Sequence, residues 1–135
     1  MPSVEFTIDG APLSAQAKDQ QLRARYRDRV QDAARAAMGS MTPFQDPVRL
    51  TLRVYSEGWV RLPDGDNAVK PVKDALQGIV YPNDSRVHDE LVIRRCTDEP
   101  FVIVGAPRVL VEKLTDGIPF FYVHVTTEIR REVIT

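Results

Sequence analysis

The chain has 135 residues, and its 18 basic and 19 acidic side chains give a formal net charge of −1. That length is about one domain's worth, enough to bury a core without staples. The near-neutral balance excludes a polycation that coats nucleic acid by bulk charge.

A hydrophobic fraction of 43% with 27% charged residues excludes a disordered chain. The single cysteine, Cys96, excludes an internal disulfide. With only His88 and His124 as imidazoles, it also excludes a four-cysteine or two-cysteine, two-histidine zinc site. No apolar run approaches the ~18 residues of a membrane span. The first residues show no basic region followed by an apolar one, so no secretory signal is read. A cytoplasmic protein with no membrane partner is expected. Without repeats, low-complexity tracts or a long linker, residues 1–135 are expected to form a single domain.

In chain order, Val4, Phe6 and Ile8 alternate with Glu5, Thr7 and Asp9, the period of a half-buried strand ended by Gly10 and Pro12. A helix is expected from Ser14 to Met38, with Leu22, Tyr26, Val30, Ala33 and Ala37 on one face and Gly39 closing it. A second strand runs from Val48 to Tyr55. A loop follows over Gly58 to Gly65, with a Pro63-Asp64-Gly65 turn signal. Residues Ala68 to Gln77 read as a second helix, burying Ala68, Val72, Ala75, Leu76 and Ile79. Pro71 is tolerable there only near the helix start.

After a turn over Tyr81 to Asp84, a third strand is expected to point Val87, Leu91 and Ile93 inward. Pro107 to Asp116 reads as a short helix capped by Gly117, although Val109 and Val111 favour a strand. Phe120 to Ile129 reads as a last strand. The order predicts an α+β fold, a small mixed sheet of about four strands with two or three helices packed on it.

One segment, Leu62 to Val87, carries chemistry. Asp64 and Asp66 are two apart, so in an extended segment their carboxylates point the same way. An antiparallel return beyond the helix brings Asp84 towards them. Two carboxylates ~4 Å apart repel by about 4 kcal/mol at an effective dielectric near 20, so three together need a shared proton or a cation. With oxygen-only ligands the natural cation is Mg²⁺ or Mn²⁺. Lys70 and Asp74 follow Asp66 at helical spacing of four, on the polar face. A lysine beside such a centre suits stabilising a phosphate or orienting the attacking water in metal-assisted phosphodiester hydrolysis. The bland alternative is a turn and helix N-cap, with Lys70 and Asp74 as a solvated pair.

The segment resembles the metal-binding core of the RusA family of Holliday-junction endonucleases. That pattern is Asp-x-Asp-Asn, a lysine three residues on, Asp-Ala-Leu on the helix, and Asp-x-x-Val after the next turn. It falls here as Asp64-Gly65-Asp66-Asn67, Lys70, Asp74-Ala75-Leu76 and Asp84-Ser85-Arg86-Val87. The likeness extends more weakly to Gly10-Ala11-Pro12-Leu13-Ser14 and the helix after it, and little beyond Arg95 is distinctive. The resemblance implies that Asp64, Asp66 and Asp84 hold Mg²⁺ and that Lys70 is catalytic. It also implies a homodimer that resolves four-way DNA junctions by paired nicks, in recombination and repair. Asn83 departs from relatives that often carry a second acid beside Asp84, which weakens the case for a second metal position. A non-catalytic branched-DNA-binding protein on the same fold is the alternative.

The charge is unevenly spread. Residues 18–35 hold six basic and three acidic side chains, +3, whereas the tail after Arg95 holds four basic and six acidic, −2. Arg25 and Arg29 of the first helix are therefore candidate DNA contacts, with Arg61, Lys73 and Arg86 nearer the motif; each also reads as an ordinary solvated helix or surface charge. Trp59 suits stacking on an unpaired base, or partial burial in the core. His88 reads as a surface residue, His124 as structural, and Cys96 as a small packed side chain.

Overall fold

The computed structural model describes residues 2–58, 63–98, 100 and 102–127. Its elements follow the order β1 (Ser3–Asp9), α1 (Gln20–Met38), β2 (Val48–Ser56), α2 (Gly65–Ala75), β3 (Val87–Cys96), α3 (Arg108–Asp116) and β4 (Phe120–Thr126). The strands form one mixed sheet in the order β1-β4-β2-β3. β4 lies antiparallel to both β1 and β2, whereas β2 and β3 are parallel. Parallel neighbours need a crossover, and α2 supplies it. This is the small mixed sheet with helices packed on it that the sequence predicts. No helix among the described residues is long and apolar enough to cross a membrane.

The two faces of the sheet differ. Phe6, Leu50, Leu52, Val54, Phe121 and Val123 point to one side and pack against Tyr26, Val30, Ala34 and Met38 of α1 and Ala68, Val72 and Ala75 of α2. Tyr55, Phe120 and Tyr122 point to the other, where Leu110 of α3 covers them and Tyr55 stacks on Phe120 at 4.8 Å. α3 resolves the ambiguity over Pro107 to Asp116 in favour of a helix, with Pro107 at its N-cap and Gly117 left-handed (φ 73°) at its end.

Several boundaries differ from the sequence reading, for identifiable reasons. α1 begins at Gln20 rather than Ser14, because Asp19 takes the N-cap position and its side chain accepts from the Leu22 N–H. Leu22 is thereby left 42% exposed, and Ala34 and Met38 complete the buried stripe. Asp19→Ala is expected to cost about 1 kcal/mol of stability, read from chemical denaturation.

In β3 the pairing shifts by one residue, Val48 opposite Val87 but Arg49 opposite Asp89. Past that bulge every side chain changes face. Val87 and Val92 therefore pack on the helix side, while Leu91, predicted inward, is 47% exposed. β4 is described to Thr126, and the predicted end at Ile129 lies outside the described residues.

α2 begins at Gly65, three residues before its predicted start, which places Pro71 well inside it. Proline has no N–H, so the carbonyl four residues back loses its helical donor. That carbonyl belongs to Asn67, and it accepts instead from the Ala15 N–H at 2.9 Å. Pro71 is tolerated because the segment after β1 replaces the missing hydrogen bond, not because it lies at the helix start.

Candidate functional site

The motif residues are distributed along α2 and the return that follows it. Asp64 occupies the N-cap of α2, with its carbonyl accepting the Ala68 N–H at 2.8 Å. Its carboxylate makes no capping bond. An N-cap aspartate ordinarily accepts one of the first free helix N–H groups; both oxygens of Asp64 are without a partner among the described residues. Asp66, in the first helical turn, is exposed, and no hydrogen bond or ion pair holds it among the described residues. The partial positive charge of the helix start favours both anions.

Because α2 starts at Gly65, Asp64 and Asp66 do not lie in one extended segment. Their carboxylates therefore do not share a direction through strand-like alternation: Asp66 follows helical rotation, ~100° per residue. Lys70 stands one turn on and forms a 3.4 Å pair with Asp74. With 62% of the lysine side chain exposed, that pair is worth only about 0.3–0.5 kcal/mol and is easily exchanged for another anion.

Asp84 opens a short 3-10 turn (Asp84–Arg86) just past the C-terminal end of α2. Its N–H donates to Gln77 Oε1 at 3.1 Å, and Asn83 Oδ1 accepts from the Ser85 N–H at 3.0 Å. The hydroxyl of the buried Tyr81 donates to the Lys73 carbonyl at 2.7 Å and anchors the same return to α2. Burial, reinforced by the charges of Asp84, Asp74 and Glu90, pushes the Tyr81 phenol up, so it stays protonated as the donor.

Lys73, a candidate DNA contact, is instead engaged. Its ammonium lies 2.5 Å from Glu90 Oε1 of β3, and only 23% of the side chain is exposed. The Glu90 hydrogen bond, opposed by partial burial and aided by the nearby Asp84 and Asp74 charges, holds Lys73 above the usual lysine range. Gln77, Tyr81 and Glu90 were not singled out from sequence. Glu90 had no usable signal, because the bulge decides which face it occupies.

Of the other candidates, Arg86 is half-buried, and its Nε is fully covered without a hydrogen-bond partner. Arg25 is exposed and makes no ion pair among the described residues. Arg29 donates to the Asp9 carbonyl at 2.7 Å. Arg61 and Trp59 lie outside the described residues. Among the described residues no group of three or more histidine, cysteine, aspartate or glutamate side chains is gathered closely enough to hold a metal ion. Asp64 and Asp66 lie at the start of α2, and Asp84 beside its end.

The family model for endodeoxyribonuclease RusA matches residues 10–106, which take in α1, β2, α2 and β3. No curated protein matches the chain. The matched segment places the molecule among the DNA-cutting enzymes, the endodeoxyribonucleases. The chain belongs to the RusA family, and its general activity is accordingly that of a Holliday-junction resolvase.

Proposed function

We propose that the protein is a Mg²⁺-dependent, structure-selective endodeoxyribonuclease that resolves four-way DNA junctions by paired nicks as a homodimer. The observation that carries this reading is Asp64, a helix N-cap whose carboxylate is not used to cap the helix. A purely structural aspartate there would spend its oxygens on the helix N–H groups.

The donor chemistry suits the cation, although the three carboxylates are not gathered into one cluster among the described residues. Asp64, Asp66 and Asp84 are all exposed, offer only oxygen, and have no hydrogen-bonding or ion-pair partner for their carboxylates among the described residues. Mg²⁺ favours such ligands, with Mn²⁺ as a substitute. When bound, it supplies an activated water and offsets charge building on the phosphate.

The chain's own groups do the rest. Lys70 exchanges its weak pair with Asp74 for the scissile phosphate and stabilises its developing charge. The half-buried Arg86 guanidinium carries a positive charge that suits a phosphate oxygen nearby. Gln77 and Tyr81 fix the return that carries Asp84. Glu90 holds Lys73 so that its charge sits beside Asp84 and limits repulsion among the carboxylates.

The test is nicking of four-way, flap and linear DNA with and without Mg²⁺. Symmetric nicks in the four-way junction, lost in EDTA, are expected. Junction binding without nicking over long incubation would instead mark a binding protein on this fold. Metal binding is also expected to raise thermal stability. At a hundredfold excess of Mg²⁺ over its Kd the gain is about 2.7 kcal/mol, and it should vanish in Asp64→Asn.

A further inference from the structure

The sheet face turned away from α1 and α2 is only partly covered by α3. The uncovered part is a cavity of about 590 Å³, within the ~300–1,000 Å³ range of small-molecule sites. Its floor is cationic. Arg49 and Arg53 project from β2 and Arg95 from β3, against one lining carboxylate, Glu5. Glu5 accepts the Tyr122 hydroxyl at 2.5 Å. Arg49 pairs with Asp89 at 3.1 Å. Arg95 donates only to the backbone carbonyl of Arg94, and Arg53 makes no hydrogen bond or ion pair among the described residues. Arg53 and Arg95 thus face one concave surface without an ion pair, with Glu5 as the single lining carboxylate among the described residues. Leu91 of β3, beside the arginines, and Ile103 and Leu110 add apolar lining.

We propose that this cavity binds a nucleotide, free or as one unit of a DNA strand, with its phosphate on Arg53 and Arg95 and its base against Leu91 and Ile103. A guanidinium fork matches phosphate geometry, and like-charged arginines left unpaired on one floor call for an anion. The excess positive charge disfavours a second copy of the same face as occupant. The site is separate from the α2 carboxylates and does not depend on their binding metal.

The test uses the full chain in EDTA, so that no cleavage enters. Binding of thymidine 5′-monophosphate, a twelve-nucleotide single strand and inorganic phosphate is measured for the wild type and for Arg53→Gln/Arg95→Gln. The double variant is expected to bind the nucleotide or the strand at least tenfold more weakly, with the dependence of log affinity on log salt shallower by about 1 for each arginine removed. Saturable mononucleotide binding identifies a free nucleotide; binding of the strand alone identifies a DNA unit.

Should the double variant melt early, Arg95→Gln is read alone, with half the change in slope expected. Unchanged affinity in a folded variant overturns the proposal. So does inorganic phosphate binding as tightly as the nucleotide, or a variant that loses only self-association in sedimentation. Asp66→Asn should leave this binding intact, so failure of the metal-dependent cleavage reading and failure of this one are separable.

Discussion

Asp66→Asn is expected to lower junction nicking in Mg²⁺ by about 10³-fold or more, roughly 4 kcal/mol of lost transition-state stabilisation. The variant should stay folded. Asp66 is exposed and holds no hydrogen bond or ion pair among the described residues, so only its favourable placement in the first turn of α2 is lost, worth about 0.3–1 kcal/mol. The check is a single-turnover nicking rate beside a melting curve and a junction-binding isotherm. An unchanged rate would remove Asp66 from the metal ligands, whatever its match to the family pattern.

The second large effect concerns Tyr81. Its ring is fully buried, and its hydroxyl ties the return before Asp84 to the last turn of α2. Tyr81→Ala opens a cavity and removes that tie, a loss of about 3–5 kcal/mol from a domain whose total stability is of order 5–15 kcal/mol. Tyr81→Phe keeps the ring and leaves only the Lys73 carbonyl without its donor, a cost of about 1–3 kcal/mol. Denaturation midpoints should therefore fall far more for alanine than for phenylalanine. Nicking at a temperature where both are folded should follow the same order, because Asp84 depends on this anchor. Equal midpoints for the two variants would show that the ring does not carry the return.

The order of the elements was legible because period and punctuation agree along most of the chain. Val4, Phe6 and Ile8, the Leu50–Val54 alternation and the Gly117 cap each gave the element later found. What escaped depended on contacts distant in sequence or on a single competing residue. Asp19 out-competes Ser14 for the start of α1 by capping it. The β3 bulge reverses an alternation that reads correctly only if the pairing is regular.

The same limits apply to the site. Asp64, Asp66, Lys70 and Asp84 stood out by residue type and spacing. Their supports, Gln77, Tyr81 and Glu90, did not, because a glutamine, a buried tyrosine and an edge-strand glutamate are ordinary until the fold brings them to α2. Net charge was a poor guide too. The −1 total says nothing of a sheet face where Arg49, Arg53 and Arg95 meet a single lining carboxylate, Glu5, among the described residues.

The hydrogen bond from Ala15 to Asn67 bears on how this chain tolerates change. Surface connections usually accept insertions at little thermodynamic cost. The connection between β1 and α1 is different, because it completes the backbone of the helix that carries Asp66 and Lys70. Lengthening it would strand the Asn67 carbonyl next to the proposed catalytic carboxylates. Evolution and engineering are therefore constrained at Ala15 by the backbone of a helix about fifty residues downstream.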